Sequence, residues 1–182
     1  MKIKFQSVLA STLFLFSIIS TQSVYAATVW NGPEVFFEKN TDGQDFITDQ
    51  VILARGFTAG IYNAAQESGF SSGSPADTEW AFANNLNVGK DVSAANYQDL
   101  FFTDWRSAVK SNPPSVVGVD AVLHLISEDI FIDIRFTDWG IGPDSGTNFA
   151  YYRASEVPLP GALGFFILSV GLLIFNFAIG KR

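Results

Sequence analysis

Hydrophobic and polar positions alternate most strictly between Ile130 and Thr137. Ile130, Ile132, Ile134 and Phe136 fall on one face, and Phe131, Asp133, Arg135 and Thr137 fall on the other. A period of two is that of a half-buried antiparallel strand. Ser127-Glu128-Asp129 separates this stretch from a second strand pattern, Val116 to Leu125, and the pair predicts a hairpin. Shorter strand patterns run from Thr28 to Lys39 (interrupted by the turn Asn31-Gly32-Pro33), Phe46 to Arg55, Thr78 to Ala83 and Asn148 to Ala154. Polar, Gly-containing loops lie between them at Asn40 to Asp45, Gly69 to Asp77 and Asn84 to Asn96. Ala59 to Gly69 reads as a helical turn or an irregular connection. From Tyr97 to Lys110 the apolar residues Leu100, Phe101, Trp105 and Val109 come close to helical spacing, which predicts a helix ended by Asn112-Pro113-Pro114. Many short strands, frequent turns and 18 Phe predict an all-β domain, a β-sandwich or jelly roll with minor helix.

Two apolar runs without this alternation sit at the ends. Near the start, Lys2 and Lys4 precede an apolar stretch from Val8 to Ile19, and Val24-Tyr25-Ala26 offers a small-residue cleavage site. This is the pattern of a secretory signal peptide over residues 1–26, cut between Ala26 and Ala27. Near the finish, Gly161 to Ile179 carries no charge, and Ser169 and Asn176 are its polar residues. As a helix this run rises roughly 28 Å, close to the thickness of a bilayer core. A lipid-facing backbone must satisfy its own hydrogen bonds, so the run predicts a transmembrane helix over 161–179. Lys181 and Arg182 follow it and place that end in the cytoplasm. The expected organisation is a signal peptide (1–26), an extracytoplasmic domain (27–156) and a tail (157–182).

The tail has three parts in a fixed order: Val157-Pro158-Leu159-Pro160, the apolar span, and the basic pair. This resembles the PEP-CTERM family of bacterial sorting signals, in the variant whose motif reads VPLP (VPLPA-CTERM). The resemblance covers residues 157–182 and implies an exosortase, a membrane-embedded cysteine transpeptidase, as partner. It implies cutting near the Pro motif, an inner-membrane intermediate, and delivery to the cell surface or extracellular matrix. Proline fixes φ near −65° and biases the preceding residue toward extended backbone, so Val157 to Pro160 is expected to stay out of the helix and accessible to a peptidase.

Charge narrows the function of the middle part. The chain carries a formal net charge of −7, all 18 acidic residues lie within 27–156, and four of the 11 basic ones lie in the terminal segments. No run of Lys or Arg exists to neutralise phosphates, which disfavours nucleic acid and anionic lipid as partners. An acidic surface suits solubility, divalent cations or a neutral polymer. With no cysteine, the domain has neither disulfide, thiolate metal site nor Cys nucleophile.

Candidate chemistry is thin. His124, the one histidine, sits between apolar neighbours in a strand and reads as a structural residue; a two-His zinc site is excluded. Glu67 and Glu79 flank the Ser-Pro loop, and Glu128, Asp129 and Asp133 surround the hairpin. A glycoside hydrolase needs two carboxylates ~5–10 Å apart, and the alternative for so many acids is a solvated surface. Asp42 and Asp45, and Asp138 with Asp144, are weak calcium candidates because hard oxygen ligands on loops suit that ion; no EF-hand spacing is present. Trp80, Trp105 and Trp139, with Trp30, Tyr62, Tyr97, Tyr151 and Tyr152, would build either a sugar-stacking platform or the core.

Asp49 to Arg55, Tyr62-Asn63-Ala64-Ala65, Glu67, and Ser74-Pro75-Ala76-Asp77-Thr78-Glu79-Trp80-Ala81 resemble an uncharacterised domain of exported bacterial surface proteins. That resemblance implies no catalytic residue. The expectation is therefore a structural or adhesive surface protein, not an enzyme and without cofactor. The alternatives are a carbohydrate-binding module contacting exopolysaccharide, or a secreted carboxylate-dependent glycoside hydrolase.

Overall fold

The computed structural model describes residues 27–39, 43–142, 144 and 148–157. Ala26 and the signal segment, Asp42, and the tail from Pro158 onward, including the 161–179 span, lie outside the described residues. The fold is mostly β, as the pattern predicts. Its strands are β1 (Thr28–Trp30), β2 (Glu34–Lys39), β3 (Asp45–Phe46), β4 (Ile52–Arg55), β5 (Ile61–Asn63), β6 (Thr78–Phe82), β7 (Asp120–Leu125), β8 (Ile130–Trp139) and β9 (Phe149–Ala154). One α-helical turn, α1, spans Trp105–Ala108, and 3-10 helices occupy Ala94–Asp99 and Pro113–Val116.

Among the described residues the strands form two sheets. The main sheet has the order β2-β9-β8-β7-β6, all antiparallel, and the small sheet has the order β3-β4-β5. The short strand β1 pairs parallel with the first half of β8, on the side where β9 pairs with the second half. The run β6 to β9 is a meander, which departs from the interleaved strands of a jelly roll.

The alternation in β8 does what it predicts on one face. Ile132, Ile134 and Phe136 are buried, and Arg135 and Thr137 are exposed. With Trp80, Phe82, Leu123, Leu125 and Tyr151 they form the main core, closed from above by Leu53 and Ile61 of the small sheet and by Trp105 of α1. On the other face Phe131 departs from the pattern and is buried. The segment after β6 folds back over that end of the sheet, so Val92, Ala94 and Leu100 cover Phe131, Val122 and Ala81 in a second, smaller core. Tyr97 stacks on Phe131 with centroids 4.0 Å apart. Asn87, buried, pins this covering layer by pairing its amide with both backbone groups of Phe101, at 2.8 and 3.0 Å.

Four expected elements differ, the first being the strand expected from Val116, which begins at Asp120 because Pro113–Val116 forms a 3-10 helix. The helix expected over Tyr97 to Lys110 shrinks to α1, because its apolar residues serve two cores. Leu100 belongs to the small core and Trp105 and Val109 to the main one, on opposite sides of edge strand β6. The chain must pass that edge extended, and Thr103 bridges to Trp80 as it does so. Asp104 then caps α1 by accepting from the Ser107 amide at 3.0 Å. The single strand expected from Phe46 to Arg55 is a tight hairpin, β3 to β4, whose turn is held by the Thr48 hydroxyl accepting from the Val51 amide at 3.0 Å. The connection after Ala59 contains β5.

One buried ion pair joins the layers. Arg153 of β9 donates from Nε and Nη2 to Asp45 of β3, at 2.6 and 2.9 Å, and the Tyr151 hydroxyl donates to the same carboxylate at 2.7 Å. Burial, then the Asp45 charge and its hydrogen bond, push the Tyr151 phenol well above its usual range.

Candidate functional site

The covering layer leaves half of the second face of the main sheet open. There the strand register sets four side chains in one row. Phe36 of β2 lies opposite Tyr152 of β9, Tyr152 opposite Arg135 of β8, and Arg135 opposite Asp120 of β7. Four adjacent strands about 4.8 Å apart make this row roughly 14 Å long. Phe36 and Tyr152 are 50% and 42% exposed, too large and too apolar to be left in water without cost. Their ring centroids lie 4.9 Å apart with planes tilted by 42°, so they offer two angled faces. Arg135 Nη1 meets Asp120 Oδ1 at 3.2 Å, also in solvent.

A groove of about 310 Å³ runs beside the row, between it and the covering layer. Tyr152, Arg135, Asp120 and Glu34 line its open side, and Ser93 and Asp133 its inner side. Asp133 is already engaged: it accepts from the Ala94 amide at 2.6 Å and so fixes the start of the 3-10 helix. The groove and the row beside it thus combine the Tyr152 and Phe36 rings, hydrogen-bonding groups and a surplus of carboxylates over one arginine. Such a surface can stack on the apolar face of a sugar ring and hydrogen-bond its hydroxyls, while repelling anions.

The expected site residues are placed as follows. Trp80, Trp105 and Trp139 do not form a sugar platform; they are 0%, 2% and 7% exposed and belong to the main core with Trp30. Their large apolar area is worth more inside, and Trp80 even satisfies its indole N–H internally, on Thr78 at 3.1 Å. Of the aromatics considered, Tyr152 is the one on the open face, and its partner Phe36 went unremarked as a site residue. The signal lay in register: Phe36 and Tyr152 come from distant strands, and the parity that puts both outward appears once β2 is paired with β9.

Of the candidate carboxylates, Glu128 and Asp129 line one open cleft of about 740 Å³ with Asp49 and Glu156, whereas Glu67, Glu79 and Asp133 lie outside it. Glu67 accepts from the Asn63 and Ala76 amides at 2.7 and 2.9 Å and from the Ser74 hydroxyl at 2.5 Å, and so ties together the segment around β5 and the Ser-Pro loop. Glu128 accepts from Thr48 at 2.7 Å. Glu79 and Asp129 flank His124, at 3.6 and 3.2 Å from its two ring nitrogens. The imidazole is stacked flat on Phe131 at 4.1 Å, which leaves it held on both edges and one face. Asp45 is consumed by Arg153, which removes it as a calcium ligand. Asp138 and Asp144 are exposed, and among the described residues no three His, Asp or Glu side chains gather as a metal site. Val157 is exposed at the margin of the described domain.

No protein-family model, no characterised protein and no solved structure matches this chain.

Proposed function

We propose that the chain is an exported bacterial surface protein that acts by adhesion, binding a neutral polysaccharide of the surrounding matrix along the groove. The row Phe36–Tyr152–Arg135–Asp120 carries this reading. It puts two large exposed rings beside paired hydrogen-bonding groups, on a sheet face that the rest of the domain leaves open. Stacking on an aromatic costs little conformational entropy and tolerates variation between sugars, which suits attachment to a polymer. The acidic rim favours neutral or amino sugars over anionic ones.

Delivery in this proposal rests on the ends of the chain. The signal peptide exports residues 27–156, the apolar span halts them at the membrane, and an exosortase cuts at Val157 to Pro160 to release or transfer the domain. The binding half is tested by affinity electrophoresis of the full-length protein through gels containing neutral or acidic polysaccharides. The expected result is retardation by a neutral polymer that Tyr152→Ala and Phe36→Ala each abolish. Retardation unchanged in both variants overturns the groove as the site. The sorting half is tested by mass spectrometry of the mature C-terminus in a host possessing an exosortase; protein that keeps Lys181 and Arg182 there refutes it.

A further inference from the structure

A second cavity opens on the opposite face of the main sheet, where α1, the turn between β4 and β5, and the end of β8 meet. Its volume is about 410 Å³, within the range that takes a small ligand. Its charges are anomalous for this molecule. In a chain of net charge −7, the charged residues lining it are two arginines, Arg55 and Arg106, without a carboxylate.

Arg55 is the more unusual. The described domain buries two arginines, Arg153 at 8% and Arg55 at 5% exposure. Arg153 has a bidentate carboxylate. Arg55 makes no ion pair among the described residues; its N–H groups go to the carbonyls of Ala59 (2.8 Å), Gly140 (3.0 Å) and Asn148. Its guanidinium carbon lies over the Trp139 ring, 4.0 Å from the centroid. Burial pulls its pKa down to about 10, with exposed Asp138 acting weakly in the other direction. Carbonyls and a ring face solvate a cation but do not neutralise it, and a buried charge without a counter-charge is costly. An anion entering the cavity supplies what is missing.

The rest of the wall is apolar, with hydroxyls at its rim. Trp105 and Trp139, stacked on each other at 5.6 Å and 27°, back the cavity with apolar carbon and keep their ring faces buried. Phe70 forms a side wall and packs so closely on Gly60 that a Cβ there would meet its ring at 2.4 Å. At the rim, Thr58 and Ser111 hold hydroxyls on backbone with φ of 51° and 56°, a conformation disfavoured for such residues. Arg106 is exposed at the mouth, and its one side-chain hydrogen bond is a long 3.4 Å contact to Ser111.

We infer that this cavity binds a hydroxylated organic carboxylate of the size of a uronate, with the carboxylate toward Arg55 and Arg106 and the hydroxyls toward Thr58 and Ser111. The inference goes beyond the adhesive groove: it concerns the other face of the sheet and the opposite ligand charge. Because Trp105 and Trp139 line the cavity, intrinsic fluorescence reports its occupancy. The experiment titrates the full-length protein with glucuronate, with glucose (the same ring with a hydroxymethyl group in place of the carboxylate), and with inorganic phosphate. Glucuronate is expected to change the fluorescence saturably, and glucose and phosphate to bind at least tenfold more weakly. Arg106→Met, at an exposed position that folding does not need, should weaken glucuronate binding about tenfold or more, as loss of a charge-assisted hydrogen bond does. Tyr152→Ala should leave it unchanged, which separates this cavity from the groove. Equal binding of glucose and glucuronate, equal binding of phosphate, no binding, or an unaffected Arg106→Met variant with native circular dichroism would each overturn the inference.

Discussion

Replacing Asp45 with alanine strands a guanidinium in the interior. Arg153 is 8% exposed, and Asp45 accepts from two of its nitrogens and from the Tyr151 hydroxyl. The contact left to Arg153 is a marginal 3.4 Å bond to the Ala154 carbonyl. Removing one partner of a buried pair costs about 3–5 kcal/mol, because the remaining charge keeps its desolvation penalty and loses its compensation. Against a total stability of roughly 5–15 kcal/mol for a domain, that is a large loss. It also unties β3 from β9, so the small sheet loses one of its polar anchors to the main one and keeps those made by Arg55. Arg153→Met should cost a similar amount by leaving the carboxylate stranded instead. The triple variant Asp45→Leu, Arg153→Met, Tyr151→Phe removes every polar partner at once, and should be more stable than either single variant, since apolar packing replaces an ion pair at little net cost. Urea unfolding followed by tryptophan fluorescence measures all four proteins, with an unchanged slope as the check on two-state behaviour. A loss below about 1 kcal/mol in Asp45→Ala would reduce the pair to the worth of a surface contact and refute the reasoning.

The same cluster has an alkaline signature. The Tyr151 pKa is raised in the folded state, so the folded form holds its proton more tightly, and stability should fall as pH rises above about 10, the free phenol value; Tyr151→Phe should flatten that limb in denaturation midpoints measured against pH. Asp104 behaves oppositely: the Ser107 hydrogen bond lowers its pKa, so its contribution is present above about pH 4 and lost below. Asp104→Ala should cost about 1 kcal/mol at neutral pH in thermal melts, whereas Asp104→Asn, which keeps the cap, should cost less. Gly32→Ala should destabilise by about 1–3 kcal/mol, because the new Cβ would sit 2.7 Å from the carbonyl oxygens of Ser155 and Glu156; a neutral melt would show that the turn gives way freely. Ile132→Asp should abolish cooperative unfolding, since that fully buried position offers a carboxylate no partner.

Strand β8 was legible because one of its faces packs on the core from Ile130 to Phe136, ahead of the bulge that exposes Asp138, and a period of two survives in the sequence there. Phe131 was not, since a covering layer from residues far upstream gives it a second interior that alternation alone does not encode. The stretch from Leu100 to Val109 misled for the converse reason. Its apolar spacing mimics a helix while its residues divide between two cores on either side of a sheet edge. The β3 to β4 turn was hidden by the apolar residues around it, although Thr48-Asp49 is turn chemistry in plain view. The candidate site was hardly visible at all. Its members, Phe36, Asp120, Arg135 and Tyr152, are brought together by register, and register depends on pairing between strands distant in the chain. The tryptophans carried the obvious chemical promise, but their area made them core. Asp45 and Arg153 are 108 positions apart, and nothing near either one announces the other.

The position of β9 has a mechanical consequence. It is the last strand of the described domain, yet it lies inside the main sheet, paired antiparallel with β2 along six residues and with β8 along most of its length. Just past it, Ser155 is clamped to the first turn of the domain: the Gly32 amide donates to its carbonyl at 2.9 Å, and its own amide donates to Pro33 at 3.2 Å. Any tension applied through the residues beyond Val157 therefore meets this clamp first, and then pulls β9 lengthwise between two neighbours. Its ladder bonds lie across the direction of pull and must slip together, instead of opening one at a time as they would in a peeled edge strand. Under the proposed attachment at that end, the load would enter through a strand held in shear on both sides.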